Sequence, residues 1–283
     1  MTLYVDIDGG RIAYDEAGTG PLVVLSHGMG VDRHAYRHLI PQLVGAGYRV
    51  INTDMRGHGE SSMNWTSVTG KEAISRTDVA EDLLAVIEKL GGGPAVIVGN
   101  SLSGGSATIA AARRPDLVRA IVEINPFTLT QKADIGALLT NSRHRRGMLP
   151  LMGTMIFKSV GQWLKYLSVA IPVKPADYDE YLTTVAAKLR EPGRMAEFMK
   201  TGKTTPADAE AQVPNVTQPT LIIMGSADPD FPSPQAEGER IVAALPAGLG
   251  RLAVIDGSGH YPQFDAVGQT TEVILPFLKE HHA

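Results

Sequence analysis

Ser101 stands two residues after Gly99 in the stretch Ala95-Val96-Ile97-Val98-Gly99-Asn100-Ser101-Leu102-Ser103-Gly104-Gly105. There an apolar, β-branched run gives way to a small-residue helical pattern that continues to Arg113. A strand, a very tight turn and a helix in so few residues push the serine out of the sheet. Its hydroxyl then lies beside the first amides of the next helix, where unpaired N–H groups and the helix dipole favour negative charge. A nucleophile that passes through an oxyanion intermediate needs that setting. The same short pattern also fits a glycine-rich turn with a solvent-facing serine, so the decision rests on residues farther along.

Asp228 and His260 are those residues. Asp228 follows the strand-like run Thr220 to Met224 in Gly225-Ser226-Ala227-Asp228, and His260 follows Leu252 to Ile255 in Gly257-Ser258-Gly259-His260-Tyr261-Pro262. A serine hydroxyl is a poor nucleophile until a base takes its proton, so His260 would act as general base and later return the proton to the leaving group. Asp228 would fix the imidazole tautomer and stabilise its cation. Asp230 is a rival acid, but the glycine-x-x-aspartate offset favours Asp228. Asn125, at the end of the preceding strand run, carries an amide and cannot serve as the anion.

The elements that must position these groups follow an alternating pattern. Leu3 to Ile7 and Arg11 to Asp15 flank Asp8-Gly9-Gly10, a hairpin signature. Leu22 to Ser26, Tyr48 to Thr53 and Val118 to Ile124 are continuous apolar runs of the kind buried on both faces of a parallel sheet. Between them, Ser75 to Leu90 has helical apolar spacing, with Ser75 and Asp78 as a capping pair. The helical segment Gln235 to Leu245 and a terminal helix from about Asp265 to His281 complete the alternation. This is a mostly parallel, doubly wound α/β sheet of about eight strands, in which functional groups gather in loops at the carboxyl ends of strands.

Two loops carry further polar residues. Asp54-Met55-Arg56-Gly57-His58-Gly59-Glu60-Ser61 reads as a tight loop held by an Asp54–Arg56 pair, with His58 structural. His34 and His38, at helical i, i+4 spacing with Asp32 nearby, raise the question of a metal. The glutamate base of a His-Glu-x-x-His zinc motif is missing, and the residues read as a polar helix face. Arg143-His144-Arg145-Arg146 is the strongest positive cluster and reads as a solvated helix face.

Composition narrows the partners. The 283 residues are 43% apolar with a net charge of −4, which suits one large α/β domain with an insertion and gives no electrostatic reason to bind nucleic acid or an anionic membrane. A small-molecule substrate is the expected partner, and a monomer and a homodimer both fit. There is no cysteine, hence no disulfide framework, thiolate metal site or Cys nucleophile. Met1 to Tyr14 has no basic n-region of a signal peptide, and no apolar run reaches membrane-spanning length. A cytoplasmic enzyme fits.

From these stretches the chain resembles the α/β-hydrolase fold superfamily over essentially its whole length. The matching pieces are His27-Gly28-Met29-Gly30, Asp54 to Ser61, Gly99 to Gly105, Gly225 to Asp228 and Gly259-His260, in the family's order. The order Ser, Asp, His is that of α/β-hydrolases rather than of chymotrypsin-like or subtilisin-like enzymes. The resemblance implies that the backbone amides of Met29 and Leu102 form an oxyanion hole, worth about 3 kcal/mol per donor in comparable sites. It implies no cofactor and no metal. One residue departs from the pattern: the second position after the nucleophile, usually glycine in the family, is Ser103. A slightly adjusted turn is expected, with Ser103 itself a poor nucleophile.

The resemblance divides the chain into a core of residues 1–126 and 214–283 and a helical cap of residues 127–213. The cap stretch is rich in methionine and aromatic residues, which make adaptable apolar walls, although most of them would pack the cap's own small core. Asn100, Phe127, Trp163 and Tyr261 are the candidate substrate-binding residues. Serine at position 101 argues against haloalkane dehalogenase and epoxide hydrolase relatives, which carry aspartate there. What the resemblance leaves is hydrolysis of a small hydrophobic ester, thioester or lactone. C–C bond hydrolysis of the meta-cleavage-product kind and cofactor-free haloperoxidase or perhydrolase chemistry stand as alternatives. A non-hydrolytic scaffold (receptor, cyclase or lyase-like) is the alternative of another class.

Overall fold

Eight strands form one sheet in the computed structural model, which describes residues 2–70, 72–131 and 134–281. They are β1 (Leu3–Ile7), β2 (Gly10–Ala17), β3 (Leu22–Ser26), β4 (Arg49–Thr53), β5 (Ala95–Asn100), β6 (Val118–Ile124), β7 (Thr220–Gly225) and β8 (Gly250–Ile255). Their spatial order is β1-β2-β4-β3-β5-β6-β7-β8. The hairpin β1–β2 joins β4 antiparallel, and every later pairing is parallel.

The period-2 alternation of a strand explains why its central members are apolar throughout. Val24 and Ile97 point into one layer, against Val79, Leu83 and Ile109 of the helices Arg76–Leu90 and Leu102–Arg113. Their neighbours Val23, Leu25, Val96 and Val98 point into the other, against Leu39, Leu43, Ile274 and Phe277. The Ser75–Asp78 capping box starts the first of those helices as the sequence indicates. The chain passes from β3 outward to β4 and then returns to place β5 on the other side of β3. That reversal opens a crevice at the strand ends, and Ser101 and the loop after β3 both stand there.

Between β6 and β7 the chain is helical, with helices at Ile135–Thr140, Ser142–Phe157, Val160–Ala170, Tyr178–Arg190, Arg194–Thr201 and Ala207–Glu210. Their apolar faces do not pack only on one another. Trp163, Tyr166, Tyr181 and Phe198 share a cluster with Val31 and Ala35 after β3 and with Tyr261 and Phe264 after β8. Among the described residues no helix is long and apolar enough to cross a membrane.

Three local readings need correction. Asp54 does not pair with Arg56: its carboxylate binds the Arg33 guanidinium, while Arg56 binds Asp78 and Asp82 on the helix Arg76–Leu90. Neighbours in sequence were outbid by partners that the fold brings closer. His34 and His38 are not on one helix face, because the 3₁₀ turn Arg33–Tyr36 ends between them. His34 Nδ1 lies 3.2 Å from Asp32 and His38 Nε2 3.1 Å from Asp177, so the two rings are held by different carboxylates. Finally, half of the basic cluster turns inward. Arg143 donates to the carbonyls of Phe231 and Pro232, and His144 is buried with Nδ1 2.8 Å from the Pro229 carbonyl.

Candidate active site

Ser101 sits at the turn between β5 and the helix Leu102–Arg113, with φ +58° and ψ −118°. A non-glycine residue in that region is strained and persists only where its surroundings enforce it. Here the enforcement is local. The Ser101 amide donates to the Ile124 carbonyl at 2.9 Å, and neither flank has room for a side chain. A Cβ on Gly99 would lie 2.2 Å from the Ser103 carbonyl oxygen, and one on Gly28 would lie 2.7 Å from Ser101 Cβ. Ser103 takes the position where glycine is usual without obstructing the turn. Its hydroxyl points inward, donates to the His27 carbonyl at 2.6 Å and lies 2.9 Å from the Ser26 hydroxyl. Its side chain is fully buried.

His260 is held from several sides. Its Nδ1 lies 2.7 Å from Asp228 Oδ2, and its backbone N–H donates to the Ala170 carbonyl at 2.7 Å. Asp228 Oδ1 accepts the Asp230 amide at 2.9 Å. The Asp230 carboxylate comes within 3.5 Å of His260 Nδ1 and accepts the Tyr166 hydroxyl at 2.8 Å. Burial alone would drive the imidazole toward its neutral form. The adjacent Asp228 and Asp230 carboxylates outweigh that, and its pKa is raised to about 9. Burial pushes the Asp230 carboxyl up to about 6. With Nδ1 engaged by Asp228, Nε2 is the ring nitrogen that makes no hydrogen bond to any described residue. Ser101 Oγ makes no hydrogen bond to it in this structure, although both residues line the same cavity.

That cavity has a volume of about 300 Å³. Leu102, Met29, Phe127, Leu151, Trp163 and Tyr261 give it apolar walls around Ser101 and His260. Among the described residues neither the Met29 nor the Leu102 amide meets a protein acceptor, and Leu102 is the first residue of its helix, where no intrahelical acceptor exists. Trp163 is fixed by an indole N–H bond of 2.8 Å to the Gly30 carbonyl and by stacking on Tyr166. The ligand atoms of Asp228, Asp230 and His260 gather closely enough to hold a cation. However, the Asp228–His260 and Tyr166–Asp230 hydrogen bonds already engage each of these residues.

Of the four candidate pocket residues, Phe127, Trp163 and Tyr261 line the cavity, and Asn100 does not. Asn100 is fully buried, and its amide donates to the Ile124 and His260 carbonyls, both at 3.0 Å. The donor side of this amide is thus taken by backbone at the end of β6 and in the loop after β8. Asn125 works similarly: its side chain donates to the Gly259 carbonyl at 2.9 Å and accepts the Gly225 amide at 2.8 Å. Sequence reasoning missed Arg76, Tyr166 and the Thr201–Pro206 stretch as cavity residues. Only the helical register of Tyr166 relative to Trp163 carried any signal.

The model of the "Alpha/beta hydrolase family" matches residues 23–273. The 2-(acetamidomethylene)succinate hydrolase of Mesorhizobium japonicum is 29% identical over 282 residues, covering 96% of this chain and 94% of that protein. Epoxide hydrolase A of Mycobacterium tuberculosis is 27% identical, covering 97% and 96% respectively. Among solved structures, the esterase of Exiguobacterium antarcticum superposes with a TM-score of 0.79 at 20% identity, over 99% of this chain and all of that one.

Proposed function

The chain belongs to the alpha/beta hydrolase family, and on that footing we propose that it is a serine hydrolase of small esters, thioesters or lactones. The observation that carries this reading is the strained Ser101 elbow opening on the same apolar cavity as an imidazole already bonded to Asp228. Ser101 attacks the carbonyl carbon as His260 Nε2 takes its proton, and Asp228 keeps Nδ1 protonated and stabilises the imidazolium. The Met29 and Leu102 amides, free of protein acceptors, receive the oxyanion. The imidazolium then protonates the leaving group, and water releases the acyl-enzyme by the same steps in reverse. Residues 127–213 form the cap over the cavity, with 1–126 and 214–283 as the core.

Epoxide hydrolase A is a relative, yet Ser101 occupies the elbow here, and a hydroxyl that forms an acyl ester supports carbonyl chemistry instead. The test pairs turnover of p-nitrophenyl acyl esters with labelling by a fluorophosphonate. Wild type is expected to do both, and Ser101→Ala neither, with loss of at least about a thousandfold in turnover. A folded wild type that stays unlabelled removes Ser101 as nucleophile and returns the fold to a non-hydrolytic role.

A further inference from the structure

Arg76 opens the helix Arg76–Leu90 and reaches the cavity wall, the residue as a whole being only 5% exposed. Gly105 clears its path, since a Cβ there would lie 2.8 Å from Arg76 Cδ. Nε donates to the Phe127 carbonyl at 2.7 Å, which fixes the plane of the group. Nη1 is buried and has no partner among the described residues. The protein's other deeply buried arginines behave differently. Arg33 is bound by Asp15, Asp54 and Glu60, and Arg56 by Asp78 and Asp82. Among the described residues Arg76 has no carboxylate within salt-bridge distance, and burial, opposed by the more distant Asp208, pulls its pKa down to about 10. A buried cation without a counter-ion is costly to keep.

We infer that the Arg76 guanidinium binds a carboxylate on the substrate, distal from the carbonyl that Ser101 attacks. The substrate class is then an ester, thioester or lactone whose otherwise apolar body ends in a free carboxylate, and Arg76 is a specificity-determining residue. The inference rests on the serine-hydrolase reading for the reacting end but not for the binding end. Thr130, Thr204 and Thr205 also line the cavity and add polar groups to its otherwise apolar walls. A guanidinium held in one plane suits a carboxylate, which can accept two parallel N–H bonds.

Wild type is compared on p-nitrophenyl hemiesters of succinate, glutarate and adipate and on the neutral acyl esters of matched length. At least one hemiester is expected to be preferred by about tenfold or more in kcat/KM. Arg76→Leu should erase that preference, read as the ratio of hemiester to neutral-ester kcat/KM within the variant and carried by the hemiester KM, and Arg76→Lys should restore part of it. Binding is read separately, by the thermal shift of Ser101→Ala with monomethyl glutarate against dimethyl glutarate, which needs neither turnover nor a stable Arg76 variant. Equal shifts, or no hemiester preference in an enzyme that labels normally, overturn the carboxylate site. Failure of wild type to label, with the monomethyl-selective shift intact, overturns the serine reading instead.

Discussion

His260 lies between two carboxylates, and that placement sets how acidity governs the reaction. In the proposed mechanism the base form is needed for attack, yet Asp228 and Asp230 hold the ring cationic up to a pKa of about 9. Because the folded value is raised, the active neutral imidazole grows as pH climbs through it, and kcat/KM should rise from neutral into the alkaline range. Asp230→Asn removes the negative charge 3.5 Å from Nδ1 and leaves the 2.7 Å Asp228 bond in place. The rising limb should move to lower pH, by about one unit for a charge at that distance. An unmoved limb in the pH profile would show that Asp230 does not act on the imidazole. The sequence distinguished these acids only by an offset from glycine. That offset named the residue bonded to Nδ1, but it had no means of showing that the second carboxylate stays beside the ring.

At the scale of elements, the elbow depends on backbone contact that side chains would prevent. Gly99→Ala sets a methyl 2.2 Å from the Ser103 carbonyl oxygen, and no flexible side chain is there to give way. The strand and helix must separate, so an unfolding measurement should show about 1–3 kcal/mol of lost stability, accompanied by weaker fluorophosphonate labelling. An unchanged labelling rate would mean that the Ser101 turn tolerates that separation. The strands themselves were legible, because buried parallel strands are unbroken β-branched runs stopped by glycine, and the observed ends of β3 and β6 coincide with those runs. Loop pairing was not legible. Asp54 and Arg56 are neighbours in sequence, but their charges are claimed by Arg33 and by a helix one layer away. Arg76 escaped notice for the same reason: a lone arginine at a helix start is ordinary, and its lack of a partner is a property of the packed molecule.

Across the whole molecule, the helical segment between β6 and β7 is fastened to the reacting end of the sheet. Trp163 bonds the Gly30 carbonyl beside Met29, and Ala170 accepts the His260 amide. Trp163→Ala should therefore do more than enlarge the cavity. Loss of a buried tryptophan costs about 3–5 kcal/mol, and release of the Gly30 loop should lower kcat in addition to raising KM on p-nitrophenyl esters. A rise in KM alone would confine Trp163 to substrate contact. Methionine and aromatic richness pointed to this segment as a unit, but not to the faces it shares with the loops after β3 and β8. Those faces depend on how the helices between β6 and β7 are oriented, which periodicity within each one leaves open.

Asn100 and Asn125 bridge the carboxyl ends of neighbouring strands to the backbone on either side of the His260 peptide. Neither residue lines the cavity, and neither amide changes charge with acidity. Together they cross-brace the loop that carries Asp228 and the loop that carries His260. The short contact between imidazole and carboxylate can thus survive breathing of the surrounding loops, with rigidity supplied by neutral groups that leave the local electric field to the charged ones.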